Sequence, residues 1–72
     1  MTDEEIIQAA RSAKRSHVIG GMTVNERLFV AGLFDEFYEA KDRDREKAYK
    51  ILELLDVDVP SINIVLKDSP PN

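Results

Sequence analysis

The stretch MTVNERLFVAGLFDEFYEAK, residues 22–41, decides the fold of this chain. Thr23 and Glu26 have the T-x-x-E spacing of a capping box, which predicts that a helix begins here. At 3.6 residues per turn, apolar side chains fill three adjacent rows of this helix. The remaining polar stripe consists of Asn25, Gly32, Asp35, Glu36 and Glu39. A helix this apolar must be covered from more than one side, so the sequence predicts an all-α fold.

That fold is a small three- to four-helix bundle around a central apolar helix at about residues 23–41, with Leu28, Phe34 and Leu52 in its core. Thr2 and Glu5 repeat the capping-box spacing and predict a first helix over about residues 3–16. Apolar residues at i, i+3, i+4 and i+7 predict a third helix that begins after Asp42 or Asp44 and ends near residue 55 or 56.

Residues 57–67 are compatible with two structures. Their alternating β-branched residues suggest an edge strand, whereas Pro60 fits the first turn of a helix. A single strand in a helical chain would leave its backbone groups without partners, so we favour a fourth helix over about residues 59–67. We expect one helical domain over residues 1–68 and a disordered tail over residues 69–72.

Composition excludes several classes of protein. The chain has no cysteine, which rules out disulfides and thiolate metal sites and favours a cytoplasmic location. No apolar run approaches the roughly 20 residues that span a bilayer, so we expect no membrane association. The net charge of −4 argues against nonspecific binding to nucleic acid and favours a basic protein partner.

Two sets of residues superficially suggest chemistry. Asp42, Asp44, Glu46 and Glu53 have part of the spacing of an EF-hand loop, but Lys47 stands where that loop needs glycine. Helix capping and solvated helix charges explain these residues better. His17 has neither a cysteine nor a triad partner, and it fits the end of the first helix. We therefore expect no catalytic residues, no cofactor and no metal.

Self-association follows from counting the faces of the central helix. The predicted helices cover two of its apolar rows and leave a ridge formed by Phe29, Leu33 and Ala40. An exposed apolar ridge usually marks an interface, so we predict a homodimer through this ridge. Gly32 is costly in the middle of a helix, so either the first helix or the tail packs closely against it, which we favour, or a partner does.

The leading interpretation is a non-enzymatic protein–protein interaction domain, such as an inhibitor or immunity-type partner of a basic protein. The polar stripe of Asn25, Gly32, Asp35, Glu36 and Glu39 is its candidate interaction surface. The alternative is a small nucleic-acid-associated regulatory protein. It would use the basic residues Arg11, Lys14, Arg15 and Arg43.

The pattern N-E-R-L-x3-G-L-x-D-E-F, which begins at Asn25, resembles a group of small bacterial helical proteins without an established activity. The similarity covers roughly residues 23–66, includes K-I-L-E-L-L at residues 50–55, and leaves the first helix outside it. The resemblance implies a bacterial origin and a helical fold, and it implies no catalytic residues.

Overall fold

The structure is a computed structural model that describes residues 1–67. Within this range the chain forms five α-helices and one short 3-10 turn, Ile19–Gly21. The helices are α1 Asp3–Ser16, α2 Val24–Ala31, α3 Phe34–Arg43, α4 Arg45–Leu54 and α5 Val59–Lys67. The predicted all-α class is confirmed, and the ambiguous segment is a helix. The tail predicted over residues 69–72, and residue 68 before it, lie outside the described residues.

The two predicted capping boxes are both present. The backbone N–H of Glu5 donates to the hydroxyl of Thr2 at 3.2 Å, and the Glu5 carboxylate accepts from the N–H of Thr2 at 2.8 Å. Thr23 and Glu26 make the same pair of bonds at the same distances. Each box satisfies backbone donors that the first turn of a helix leaves free, so α1 and α2 begin where the sequence predicts.

The prediction of a single central helix over residues 23–41 is wrong, because the chain breaks this helix at Gly32. Gly32 adopts the left-handed conformation with φ of 69°. Its N–H donates to the carbonyl of Phe29, and the N–H of Leu33 donates to the carbonyl of Leu28 at 2.9 Å. These two bonds form a Schellman motif, which ends α2 before α3 begins in a new direction.

The end of α4 repeats this motif without glycine. Asp56 takes the left-handed conformation with φ of 62°, and the N–H of Val57 donates to the carbonyl of Leu52 at 3.1 Å. The N–H of Asp56 donates to the carbonyl of Glu53 at 3.0 Å. Aspartate tolerates the left-handed region better than most residues, so α4 ends and the chain turns toward α5.

One core connects the five helices. Leu28 and Leu52 have no exposed surface, which confirms two of the three predicted core residues, whereas Phe34 is 40% exposed. The fully buried large side chains are Leu28, Leu33, Phe37, Ile51, Leu52, Leu55 and Ile62. Alanines at positions 10, 13, 40 and 48 are also buried, and their small size allows the helices to approach closely.

Arg27 fastens the ends of three segments together. Its guanidinium donates to the carbonyls of Met22 at 3.1 Å, Gly20 at 3.3 Å and Leu55 at 2.9 Å. The carbonyl of Leu55 lies at the negative end of the α4 dipole, where a fixed positive charge is favourable. Arg27 therefore links α2 to the 3-10 turn and to the end of α4.

Among the helices within residues 1–67, none is long and apolar enough to cross a bilayer.

Candidate functional site

The acidic residues predicted for the interaction surface separate into exposed and engaged side chains. Asp35 and Glu39 are exposed one turn apart on α3. Neither carboxylate forms a hydrogen bond or an ion pair with any of the residues the structure describes. Both remain available to an external partner.

Glu36 differs from its two acidic neighbours because it serves the fold. Its carboxylate lies 2.6 Å from the ammonium group of Lys47 on α4 and 3.5 Å from the amino group of Met1. The hydrogen bond from Lys47 holds the pKa of Glu36 below its usual value, and the same bond raises the pKa of Lys47. Only 17% of the Glu36 side chain is exposed. Glu36 is therefore not part of the surface available for binding.

Asn25 and Gly32 have conformational roles at the junction of α2 and α3. The side-chain oxygen of Asn25 accepts a hydrogen bond from the hydroxyl of Tyr38 at 2.9 Å, which ties α2 to α3. A Cβ atom at Gly32 would meet nothing within 4 Å. The predicted close packing at Gly32 is therefore wrong, and the positive φ of the helix end explains the glycine instead.

The ridge predicted for a homodimer does not exist as a continuous surface. Leu33 and Ala40 are buried, with 0% and 4% of their surfaces exposed, whereas Phe29 is 79% exposed. The turn at Gly32 reorients α3 relative to α2, so residues that would share a row on one straight helix face different directions. Leu33, which follows Gly32 in the Schellman motif, points into the core as such residues commonly do.

The same turn exposes an aromatic residue that the sequence placed in the core. Phe34 begins α3, and its ring packs on Tyr38 with the ring centroids 4.8 Å apart. The ammonium group of Lys41 lies 5.7 Å from the centroid of the Tyr38 ring, within range of a cation–π contact. The sequence signal for the turn that exposes Phe34 is Gly32 followed by Leu33, with Gly32 four residues after the buried Leu28.

The candidate site comprises four exposed residues of α2 and α3, which we name the α2–α3 surface: Phe29, Phe34, Asp35 and Glu39. Two of the three phenylalanines in the chain lie here, on either side of the Gly32 turn. They are accompanied by two exposed carboxylates of α3, those of Asp35 and Glu39, which pair with no residue within 1–67. Exposed aromatic side chains beside charged ones are typical of protein interfaces.

The basic residues proposed for nucleic acid do not form one patch. Arg11 and Arg15 are exposed near the end of α1, and Lys14 lies 3.4 Å from the carboxylate of Asp56. Arg43 ends α3 and directly precedes α4, whose first turns adjoin the first residues of α1. About ten residues of helix, or about 15 Å, therefore separate Arg43 from the other three.

Two of the remaining candidates for chemistry, Asp44 and His17, cap helices. The carboxylate of Asp44 accepts from the backbone N–H of Lys47 at 3.3 Å and caps α4, which contains both Glu46 and Glu53. His17 is the exposed C-terminal cap of α1, and its N–H donates to the carbonyl of Ala13. Within residues 1–67, no group of three or more His, Asp or Glu side chains is arranged to hold a metal ion.

Comparisons with protein families, with curated proteins and with solved structures find no match to this chain.

Proposed function

We propose that this protein is a non-enzymatic interaction domain that binds a basic protein partner through the α2–α3 surface. An inhibitor or immunity-type role, in which the domain covers a basic site of its partner, is the specific form of this proposal. The cysteine-free composition favours the cytoplasm as the place where the domain meets its partner, and the resemblance of roughly residues 23–66 favours a bacterial host.

The observation that carries the proposal is the coexistence of Phe29 and Phe34 with unpaired acidic residues. Phe29 exposes 79% of its surface, which costs free energy in water unless a partner covers the ring. Aromatic residues of this kind often supply most of the binding energy of an interface. Asp35 and Glu39 would speed the encounter with a positively charged partner and select against acidic ones.

Affinity capture from the native host tests this proposal directly. We expect wild-type protein to retain a basic partner that Phe29→Ala loses, because the variant removes the central aromatic contact. Val18→Ala is the matched control, since Val18 is 89% exposed but lies in the connection after α1. Equal recovery of the same partner by wild type and Phe29→Ala would remove the α2–α3 surface from the interface.

Association kinetics with the captured partner test the acidic residues. Replacing both Asp35 and Glu39 by lysine should slow association roughly tenfold at low salt and leave dissociation less affected, because rim charges act mainly on the encounter. The double variant Glu4→Lys, Glu53→Lys is the control for net charge, since both residues are exposed and lie on α1 and α4. A double variant with an unchanged association rate would exclude these two carboxylates from the interface.

Two other outcomes would replace the proposal. A homodimer through Phe29 would give twice the chain mass by light scattering at tens of micromolar and return to monomer with Phe29→Glu. Nucleic-acid binding would appear as a mobility shift that weakens steeply with salt and is lost when Arg11 and Arg15 are replaced by alanine.

A further inference from the structure

A groove between α1 and α4 lies apart from the α2–α3 surface. The two helices run side by side in the same direction, as the ion pairs at their ends show. At one end, Lys47 near the start of α4 and the amino group of Met1 just before α1 both contact the carboxylate of Glu36. At the other end, Lys14 of α1 reaches Asp56 just beyond α4 at 3.4 Å. The groove encloses about 680 Å³ and extends along α4 from Asp44 to Leu54, or about 15 Å.

The floor of the groove is apolar and partly open to solvent. Ile6 and Ile51 close its base, with 3% and 1% of their surfaces exposed. Ile7 and Leu54 are only half-buried above them. Two adjacent parallel helices with apolar side chains along their shared outer edge provide the packing surface that a third helix occupies in a bundle.

The charges around the groove favour one class of occupant. Its lining includes four carboxylates, which belong to Asp3, Asp44, Glu46 and Glu53. The lining also includes Lys47 and Lys50, but the charge of Lys47 is already compensated by Glu36 at 2.6 Å. Among the described residues that line the groove, Lys50 is then the one cation that opposes the four carboxylates, so the rim that they form is negative.

We propose that the α1–α4 groove binds an amphipathic, basic helix of a partner protein. About three turns of that helix would fill the groove, with apolar residues at i, i+3 or i+4, and i+7 against Ile7 and Leu54. Lysine or arginine residues on its flanks would meet Glu46 and Glu53. This second surface makes the protein a connector able to hold two partner segments at once, and it does not depend on the α2–α3 surface.

The test uses a fluorescently labelled synthetic helical peptide of 14 residues, with leucine along one face and lysine on both flanks. A second peptide carries glutamate in place of every lysine. Anisotropy titrations should show binding of the lysine peptide to wild-type protein, and affinity at least about tenfold weaker for the glutamate peptide. Raising the salt concentration should weaken the binding of the lysine peptide to the wild-type protein, because the flanking charges of the peptide are exposed.

Protein variants locate the binding. Leu54→Asn should weaken the lysine peptide about tenfold, while Ile64→Asn, at an exposed site on α5 outside the groove, should leave the affinity unchanged. The double variant Glu46→Gln, Glu53→Gln changes only exposed side chains and should weaken binding several-fold even if Leu54→Asn fails to fold. Phe29→Ala should have no effect, which separates this inference from the proposed function.

Three results would overturn the inference. The first is no binding of the lysine peptide at about 1 mM, the weakest affinity of interest. The second is equal affinity of wild type and the double variant, which would place the peptide elsewhere. The third is self-association of wild-type protein that the double variant abolishes, which would assign the groove to a second copy of this chain.

Discussion

The α2–α3 turn and the α4–α5 turn use the same backbone motif but are held in different ways. In each turn, one residue adopts the left-handed conformation. The backbone N–H of the next residue donates to the carbonyl of a fully buried leucine, Leu28 in the first turn and Leu52 in the second. The first turn has Gly32 at the left-handed position, whereas the second has Asp56 and receives contacts from Arg27 and Lys14. The first turn thus relies on its own glycine and on the hydrogen bond from Tyr38 to Asn25 within the same helix pair, whereas residues of α1 and α2 secure the second.

This difference separates surface from scaffold. Around the α2–α3 turn, Phe29, Asp35 and Glu39 are exposed, and the partly exposed Phe34 packs on Tyr38, so the turn displays these four side chains. Around the α4–α5 turn, Arg27 and Lys14 are committed to holding helix ends. The exposed side chains on either side of Gly32 can therefore vary at little structural cost, whereas loss of Arg27 would loosen the end of α4.

The largest effect on stability is expected from the buried leucines whose carbonyls accept these hydrogen bonds, Leu28 in the first turn and Leu52 in the second. Leu28→Ala and Leu52→Ala each leave a cavity in a fully buried position and should lower the free energy of unfolding by about 2–5 kcal/mol. A domain of this size has a total stability of about 5 kcal/mol, so each variant should keep at most about 3 kcal/mol and, at the upper end of the loss, should be about half unfolded at room temperature. Urea unfolding followed by circular dichroism measures this.

Phe29→Ala is the control for these truncations, since Phe29 is adjacent to Leu28 but 79% exposed. It should change the free energy of unfolding by less than about 0.5 kcal/mol. Wild-type stability in Leu28→Ala would contradict the placement of α2 in the core.

Arg27 should have the next largest effect, and it distinguishes the turn that depends on distant residues. Arg27→Ala removes three hydrogen bonds to backbone carbonyls and should cost about 2–3 kcal/mol. Arg27→Lys should recover only part of this stability, because one ammonium group cannot reproduce the planar fork of the guanidinium. Thermal melts of both variants beside Arg11→Ala, an exposed control on α1, provide the comparison. Equal melting temperatures for all three would show that Arg27 does not secure the end of α4.

Substitutions at the left-handed residues should sharpen the comparison of the two turns. Gly32→Ala places a side chain at φ of 69° and should cost about 1–2 kcal/mol, although the space around it is open. Gly21→Ala is the matched control, because Gly21 is equally open but lacks a positive φ. Asp56→Asn keeps a residue that tolerates this conformation and loses only the exposed ion pair, so its cost should stay below about 1 kcal/mol.

Chemical denaturation measures these three variants. A cost at Gly21→Ala as large as that at Gly32→Ala would mean that the backbone conformation of Gly32 is not the cause.

The smallest effects should appear as pH dependence, and each turn contributes one carboxylate. Glu36 follows the first turn, and its hydrogen bond from Lys47 holds its pKa below the usual value. Asp58 follows the second turn, and hydrogen bonds from the hydroxyl and N–H of Ser61 hold its pKa below the usual value. A lowered pKa in the folded state stabilises the protein above the ordinary pKa of the group, and this contribution is lost as the pH falls through the lowered value.

Stability should therefore fall below about pH 4.5, the ordinary value for glutamate. Glu36→Gln and Asp58→Asn should each flatten part of this decline when the free energy of unfolding is measured from pH 6 to pH 2.5. A decline of the same slope in both variants would assign the acid sensitivity to other groups.

Several elements could be predicted from the sequence because their signals are local. The capping boxes at Thr2 and Thr23, the cap at Asp44 and the placement of Pro60 each involve residues within one turn of one another. The break at Gly32 was also encoded locally, by glycine followed by leucine, but the apolar periodicity on both sides of the break concealed it. The periodicity therefore predicts Phe34 in the core and Leu33 and Ala40 at the surface, whereas in the structure Phe34 is partly exposed and the other two are buried.

The sequence by itself determined that the chain is helical, because capping and apolar periodicity depend on neighbours along the chain. Only the tertiary structure decided which side chains are available for binding. Glu36, Asp35 and Glu39 are indistinguishable as acidic residues on one helix, yet Lys47 from another helix engages Glu36 and leaves the other two exposed. The α1–α4 groove likewise joins residues about 40 positions apart, and no local pattern reports how two helices approach each other.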